Sequence, residues 1–162
     1  MKQKTLMFVC IMFSGNVFSQ YNDDYIAEKN NIAHKGDNLI TISTDRNAQT
    51  NFMEFGKHLV SHGFTFKTKD LDFMQLVTDA KRPEKGLHYD YTMNITFSGD
   101  DIIIRVKQSG MSAGSAIAFS DANIIWDDWH YATSSGNIMN QTFNDFYPVL
   151  KSYDYPVTFS KQ

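Results

Sequence analysis

Ser112 stands inside Gly110-Met111-Ser112-Ala113-Gly114, the G-x-S-x-G spacing in which a sharp turn lifts a serine hydroxyl towards a base. Asp127 and His130 follow it in the order nucleophile, acid, imidazole. Acyl transfer through Ser112 would require that turn to join a strand to a helix on a largely parallel sheet, with backbone N–H groups held ready for the oxyanion. The chain is short and rich in hairpin signals, and no glycine run precedes the motif. The sequence therefore places Ser112 in a flexible Gly/Ser loop, with a serine hydrolase as the less favoured alternative.

Two further groups carry metal-ligand residue types. Glu54, His58 and His62 recur at i, i+4 and i+8, which would line a carboxylate and two imidazoles along one side of a helix. The simpler account is that both histidines face the helix C-terminal dipole while Glu54 is a solvated neighbour. Asp127, Asp128 and His130 form the second group, and Trp126 and Trp129 packing onto a sheet would explain it without a metal. Aromatic residues make up 14% of the chain, and Trp126, Trp129, Tyr131, Tyr147, Tyr153 and Tyr155 crowd its last third. Such rings can form a platform for a sugar or a peptide, or fill a small core, and the second is expected here. The expectation is thus no catalytic residue, no metal ligand and no cofactor.

The elements that would position these groups follow from periodicity. Tyr89, Tyr91, Met93, Ile95 and Phe97 alternate with His88, Asp90, Thr92, Asn94 and Thr96, which predicts a half-buried strand with one wet face. Ser98 to Asp101 make a turn, and Ile102, Ile104 and Val106 resume the alternation as the returning strand. Upstream, Leu39 to Ser43 reads as a strand, and Asp45 and Asn47 offer helix N-caps. Phe52, Phe55, Leu59 and Val60 recur at helical spacing between Ala48 and His62, with Gly63 where a left-handed C-cap is wanted. Phe64 to Lys67 and Phe73 to Asp79 are expected as strands, and Lys81 to Gly86 as an exposed loop. In the last third, strands are placed at Ala116 to Phe119 and Asn123 to Trp126. Asn137 is placed as the cap of a helix with Met139, Phe143, Phe146 and Leu150 on one stripe, kinked or ended by Pro148. Pro156 to Phe159 is a short tail strand or disordered.

Residues 1–19 have the marks of a signal peptide: Lys2 and Lys4, an apolar run from Leu6 to Phe13, and Val17-Phe18-Ser19 as the cleavage site. Residues 20–37 form a polar lead-in, and residues 38–162 a single domain, since 162 residues leave no room for a second. Cys10 is the one cysteine and would leave with the signal, so the mature chain would lack thiol chemistry and disulfides. A net charge of -3 provides no basic field for nucleic acid, and no integral membrane segment is expected after cleavage.

The strand Leu39-Ile40-Thr41-Ile42, the helix end Leu59-Val60-Ser61-His62-Gly63-Phe64, the turn Lys69-Asp70-Leu71-Asp72-Phe73 and the strand Tyr89 to Phe97 together resemble small exported bacterial domains of unknown function with a TBP-like, or helix-grip, fold. The resemblance implies an α+β domain in which an antiparallel sheet of five or six strands is packed on one face by two helices. It carries no catalytic residues. The function expected is an exported binding or accessory module, periplasmic or extracellular, with an unknown protein or small-molecule partner. The first alternative is a carrier that holds a hydrophobic or amphipathic small molecule between sheet and helix.

Overall fold

The computed structural model describes residues 32–83, 89–111, 124–134 and 137–162. The signal segment with Cys10, most of the lead-in, His88, the strand expected at Ala116 to Phe119 and Ser112 with its neighbours Ala113 and Gly114 lie outside them.

The fold is α+β. Its elements run β1 (Leu39–Ser43), α1 (Ala48–Ser61), β2 (Phe66–Asp70), β3 (Gln75–Thr78), β4 (Tyr91–Ser98), β5 (Asp101–Met111), β6 (Ile124–Asp128), α2 (Ile138–Lys151) and β7 (Val157–Ser160). Among the described residues the strands form one antiparallel sheet of seven, ordered β2-β3-β4-β5-β1-β7, with β6 also paired to β5. The count exceeds the expected five or six because β5 is longer than its alternation suggested. Beyond the stretch that pairs with β1, its far edge takes up β6 at Lys107 to Met111.

Alternation built the centre as anticipated. Tyr91, Met93, Ile95 and Phe97 are buried, while Thr92, Asn94 and Thr96 stay half-exposed on the other face. Ile102, Ile104 and Val106 continue the buried face across β5, and Ile40 and Ile42 across β1. Gly99, at φ +61°, turns the β4–β5 hairpin in a conformation that most side chains resist.

Both helices lie on this apolar face. Phe55 of α1 meets Phe97, and Phe146 of α2 meets Tyr91. The Asn47 side chain caps α1 by accepting from Thr50 N, and Asn137 caps α2 by accepting from Met139 N. At the end of α1, Gly63 N donates to Val60 O and Phe64 N to Leu59 O, the paired bonds of a Schellman motif, with Gly63 at φ +80°. Phe64 is buried as part of that cap, so β2 begins at Phe66 and not at Phe64. Pro148 does not end α2, which runs on to Lys151; the carbonyl it deprives of a donor belongs to Asn144, an exposed residue.

Docked chain begins before Asn38: Ala33 and Asp37 are buried, Gly36 N donates to Tyr131 O, and Tyr131 N donates to Asp37 O. The tail strand is ordered as β7, and its Phe159 packs on Phe143 and Tyr147 of α2. The aromatic residues of the last third divide by position. Trp129 is buried against Phe143 and Phe146, with its Nε1–H donated to Met139 O, whereas Trp126 is exposed.

Candidate functional site

The helix does bring His58 and His62 together, with ring centroids 4.4 Å apart, but not with Glu54. The Glu54 carboxylate pairs with the Arg46 guanidinium. His58 Nε2 lies 2.8 Å from Val149 O and His62 Nδ1 lies 2.9 Å from His58 O, so each imidazole spends that nitrogen as a donor to a carbonyl. Ser152 Oγ lies 3.4 Å from Nε2 of both histidines, yet it donates its proton to Val149 O at 2.8 Å. No carboxylate contacts either imidazole among the described residues, so the serine lacks an oriented base. Asp127, Asp128 and His130 are exposed, and among the described residues no three His, Cys, Asp or Glu are placed to hold a metal.

Tyr91, Asp145 and Lys81 form a part-buried polar network. The Tyr91 hydroxyl donates to Asp145 Oδ2 at 2.6 Å, and Lys81 Nζ reaches the same oxygen at 3.1 Å. Burial, reinforced by the hydrogen bond and charge of Asp145, raises the Tyr91 pKa far above the ordinary phenol range. Lys81 also lies 4.4 Å from the centroid of the Phe64 ring. These contacts tie α2 to β4.

The sheet-to-helix interface is filled over β4, β5 and β1, where Ile40, Ile42, Met93, Ile95, Ile102 and Ile104 are fully buried. It opens at one side. Between α1 and the β2–β3 pair runs a groove of about 400 Å³, within the size range of small-ligand sites. Phe52, Met53, Gly56 and Val60 of α1 form one wall, and Phe66 and Leu76 the other. Lys57 and Lys69 also line it, both exposed and neither ion-paired among the described residues. Lys69 Nζ lies 5.0 Å from the Phe66 ring centroid.

Gly56 explains how the groove stays open. A glycine inside a helix costs about 1 kcal/mol relative to alanine, so its place in mid-α1 requires a gain elsewhere. A Cβ there would already meet Leu76 Cδ1 at 3.4 Å, and anything longer would project into the groove. Sequence reasoning took Val60 into the core stripe and passed over Met53, Gly56 and Lys57. The four recur at i, i+3, i+4 and i+7, a second stripe beside the buried one, and that spacing was the available signal.

A smaller depression of about 220 Å³ is lined by Tyr89, Gln108, Asp127, His130 and the first residues of α2. Gln108 of β5 is 3% exposed, with its Oε1 unpartnered among the described residues. That oxygen is sealed from solvent.

No family model matches the chain, and no curated protein is significantly similar to it. Among the described residues no helix is long and apolar enough to cross a membrane.

Proposed function

We propose that the chain is an exported, non-catalytic binding module that takes amphipathic anions in the groove beside α1. One observation carries the reading: an open apolar groove of ligand size with two lysines along it that are ion-paired to none of the described residues. An apolar body would displace water from Met53, Val60 and Phe66, and a negative group would meet Lys57 or Lys69 at the rim. The antiparallel sheet with both helices on one face is also the layout expected of a helix-grip domain, and the start of the sequence supports export to the periplasm or the exterior.

Titration with anilinonaphthalene sulfonate, followed by displacement with dodecanoate and with dodecylammonium, tests the reading. The probe should brighten on binding, dodecanoate should displace it, and dodecylammonium should do so poorly. Gly56→Leu fills the groove while raising helix propensity, so it should fold and lose the signal. Equal brightening in wild type and Gly56→Leu, or equal displacement by both surfactants, would refute it.

A further inference from the structure

β2 closes one side of the sheet, and among the described residues its outer edge has no partner. An unpaired edge presents a row of backbone donors and acceptors that another extended chain can complete. The groove adjoins this edge and takes Phe66 and Lys69 from β2 itself. A strand laid beside β2 would therefore carry every second side chain towards the groove side of the sheet. We propose that the occupant is an extended acidic segment of another protein that adds to the sheet beside β2 and seats an apolar side chain in the groove. The inference rests on the groove reading above and names its partner class.

Exposed apolar surface is gathered here. Met53 and Val60 on α1 are 50% and 53% exposed, and Leu71 and Phe73 in the β2–β3 turn are 47% and 77% exposed. Ile32 and Trp126 are the other large exposed apolar residues among those described, so most of this surface surrounds one edge. Charge selects the partner. Lys57, Lys67 and Lys69 are exposed on α1 and β2, and none is ion-paired among the described residues. A second copy of this chain joined antiparallel through β2 about Thr68 would set Lys67 against Lys69 of the other copy, which disfavours self-pairing in that register. The register shift between Phe66 and Thr68 works in the same direction, because a bulge discourages indiscriminate edge pairing. An acidic strand meets the lysines favourably and can pair along the regular stretch at Thr68 and Lys69, with an uncharged residue opposite Asp70.

The test is NMR titration of the full ¹⁵N-labelled chain with a short end-blocked peptide alternating valine and glutamate. Two comparison peptides are needed: the same sequence with alternate backbone nitrogens methylated, and one with lysine in place of glutamate. Anilinonaphthalene sulfonate is titrated into the same preparation. The plain peptide should shift the amides of β2 and of the groove wall of α1, with binding that weakens in salt. Methylation removes the donors needed for pairing and should cost about tenfold or more in affinity. Lys67→Glu with Lys69→Glu should weaken binding by a similar factor. Equal binding of the methylated peptide or of the lysine peptide would overturn the proposal. If the sulfonate binds and the plain peptide does not, strand addition fails while the groove reading stands; if neither binds, both fail.

Discussion

Tyr91→Phe removes a single oxygen from the part-buried network that joins β4 to α2. In wild type the hydroxyl is fully buried and donates to Asp145 Oδ2 at 2.6 Å. A hydrogen bond to a charged acceptor contributes about 1.5–3 kcal/mol, and Asp145 keeps the Lys81 ammonium at 3.1 Å, so the variant should lose an amount in that range at neutral pH. It should not reach the about 3–5 kcal/mol of a broken buried ion pair. The pH dependence is the sharper test. Burial and then Asp145 raise the phenol pKa in the folded state above its unfolded value of about 10, so the neutral form is favoured on folding. The associated stability is fully present below about pH 10 and is lost as pH rises towards the folded pKa, at about 1.4 kcal/mol per pH unit. Phenylalanine has no proton to lose, so the wild-type advantage should close between about pH 11 and 12. Tyr153, raised mainly by burial, and Tyr155, raised mainly by its hydrogen bond to Asp45, are present in both chains and cancel in the difference. Urea denaturation followed by fluorescence of the buried Trp129, at steps from neutral pH to about pH 11, measures the gap. A deficit below about 0.5 kcal/mol at neutral pH, or a gap that stays constant to about pH 11, would refute the reasoning.

Ile95→Ala should cost about 2–5 kcal/mol, because Ile95 is fully buried between Leu76 and Ile104 in the register of β3 and β5. Thr92→Ala on the half-exposed face should stay within about 0.5 kcal/mol, and equal costs in denaturant titrations would mean that both faces of β4 are covered. Mass spectrometry of protein from its native host should find cleavage near Ser19; an intact Met1 or a lipid on Cys10 would exclude it. A fluorophosphonate probe should leave Ser112 unlabelled, and labelling that disappears in Ser112→Ala would revive the hydrolase.

What was legible in the sequence was whatever a single local period could encode. The β4–β5 hairpin showed itself because one face is buried and the other wet, which forces strict alternation of side chains. Helix α1 showed itself through a cap at Asn47, an apolar stripe and Gly63. The end of β5 did not, since Gln108 to Met111 are strand because β4 and β6 pair with them and not because of their own propensities. Phe64 was misassigned for a related reason: its side chain belongs to the cap of the preceding helix, although its residue type suits a strand.

The groove was hidden by a different cause, which is the ratio of sheet to helix. Six strands along the main path, about 4.8 Å apart, span about 24 Å, while two helices about 10–12 Å across cover about 20–24 Å. Had the sheet ended at five strands, two helices would have covered its apolar face. With the path extended by β7, the two helices have no width to spare, and one margin is left open. At the β7 side, Phe159 is taken up by Phe143 and Tyr147 of α2, so the shortfall falls at β2. There Phe66 and Leu76 line a groove with Gly56 of α1, and the second stripe of α1 borders its opening. The residues of the candidate site are thus ordinary core types in a place where the fold runs out of helix. That is why no chemical motif announced them, and why an element from outside the chain is the natural complement to that margin.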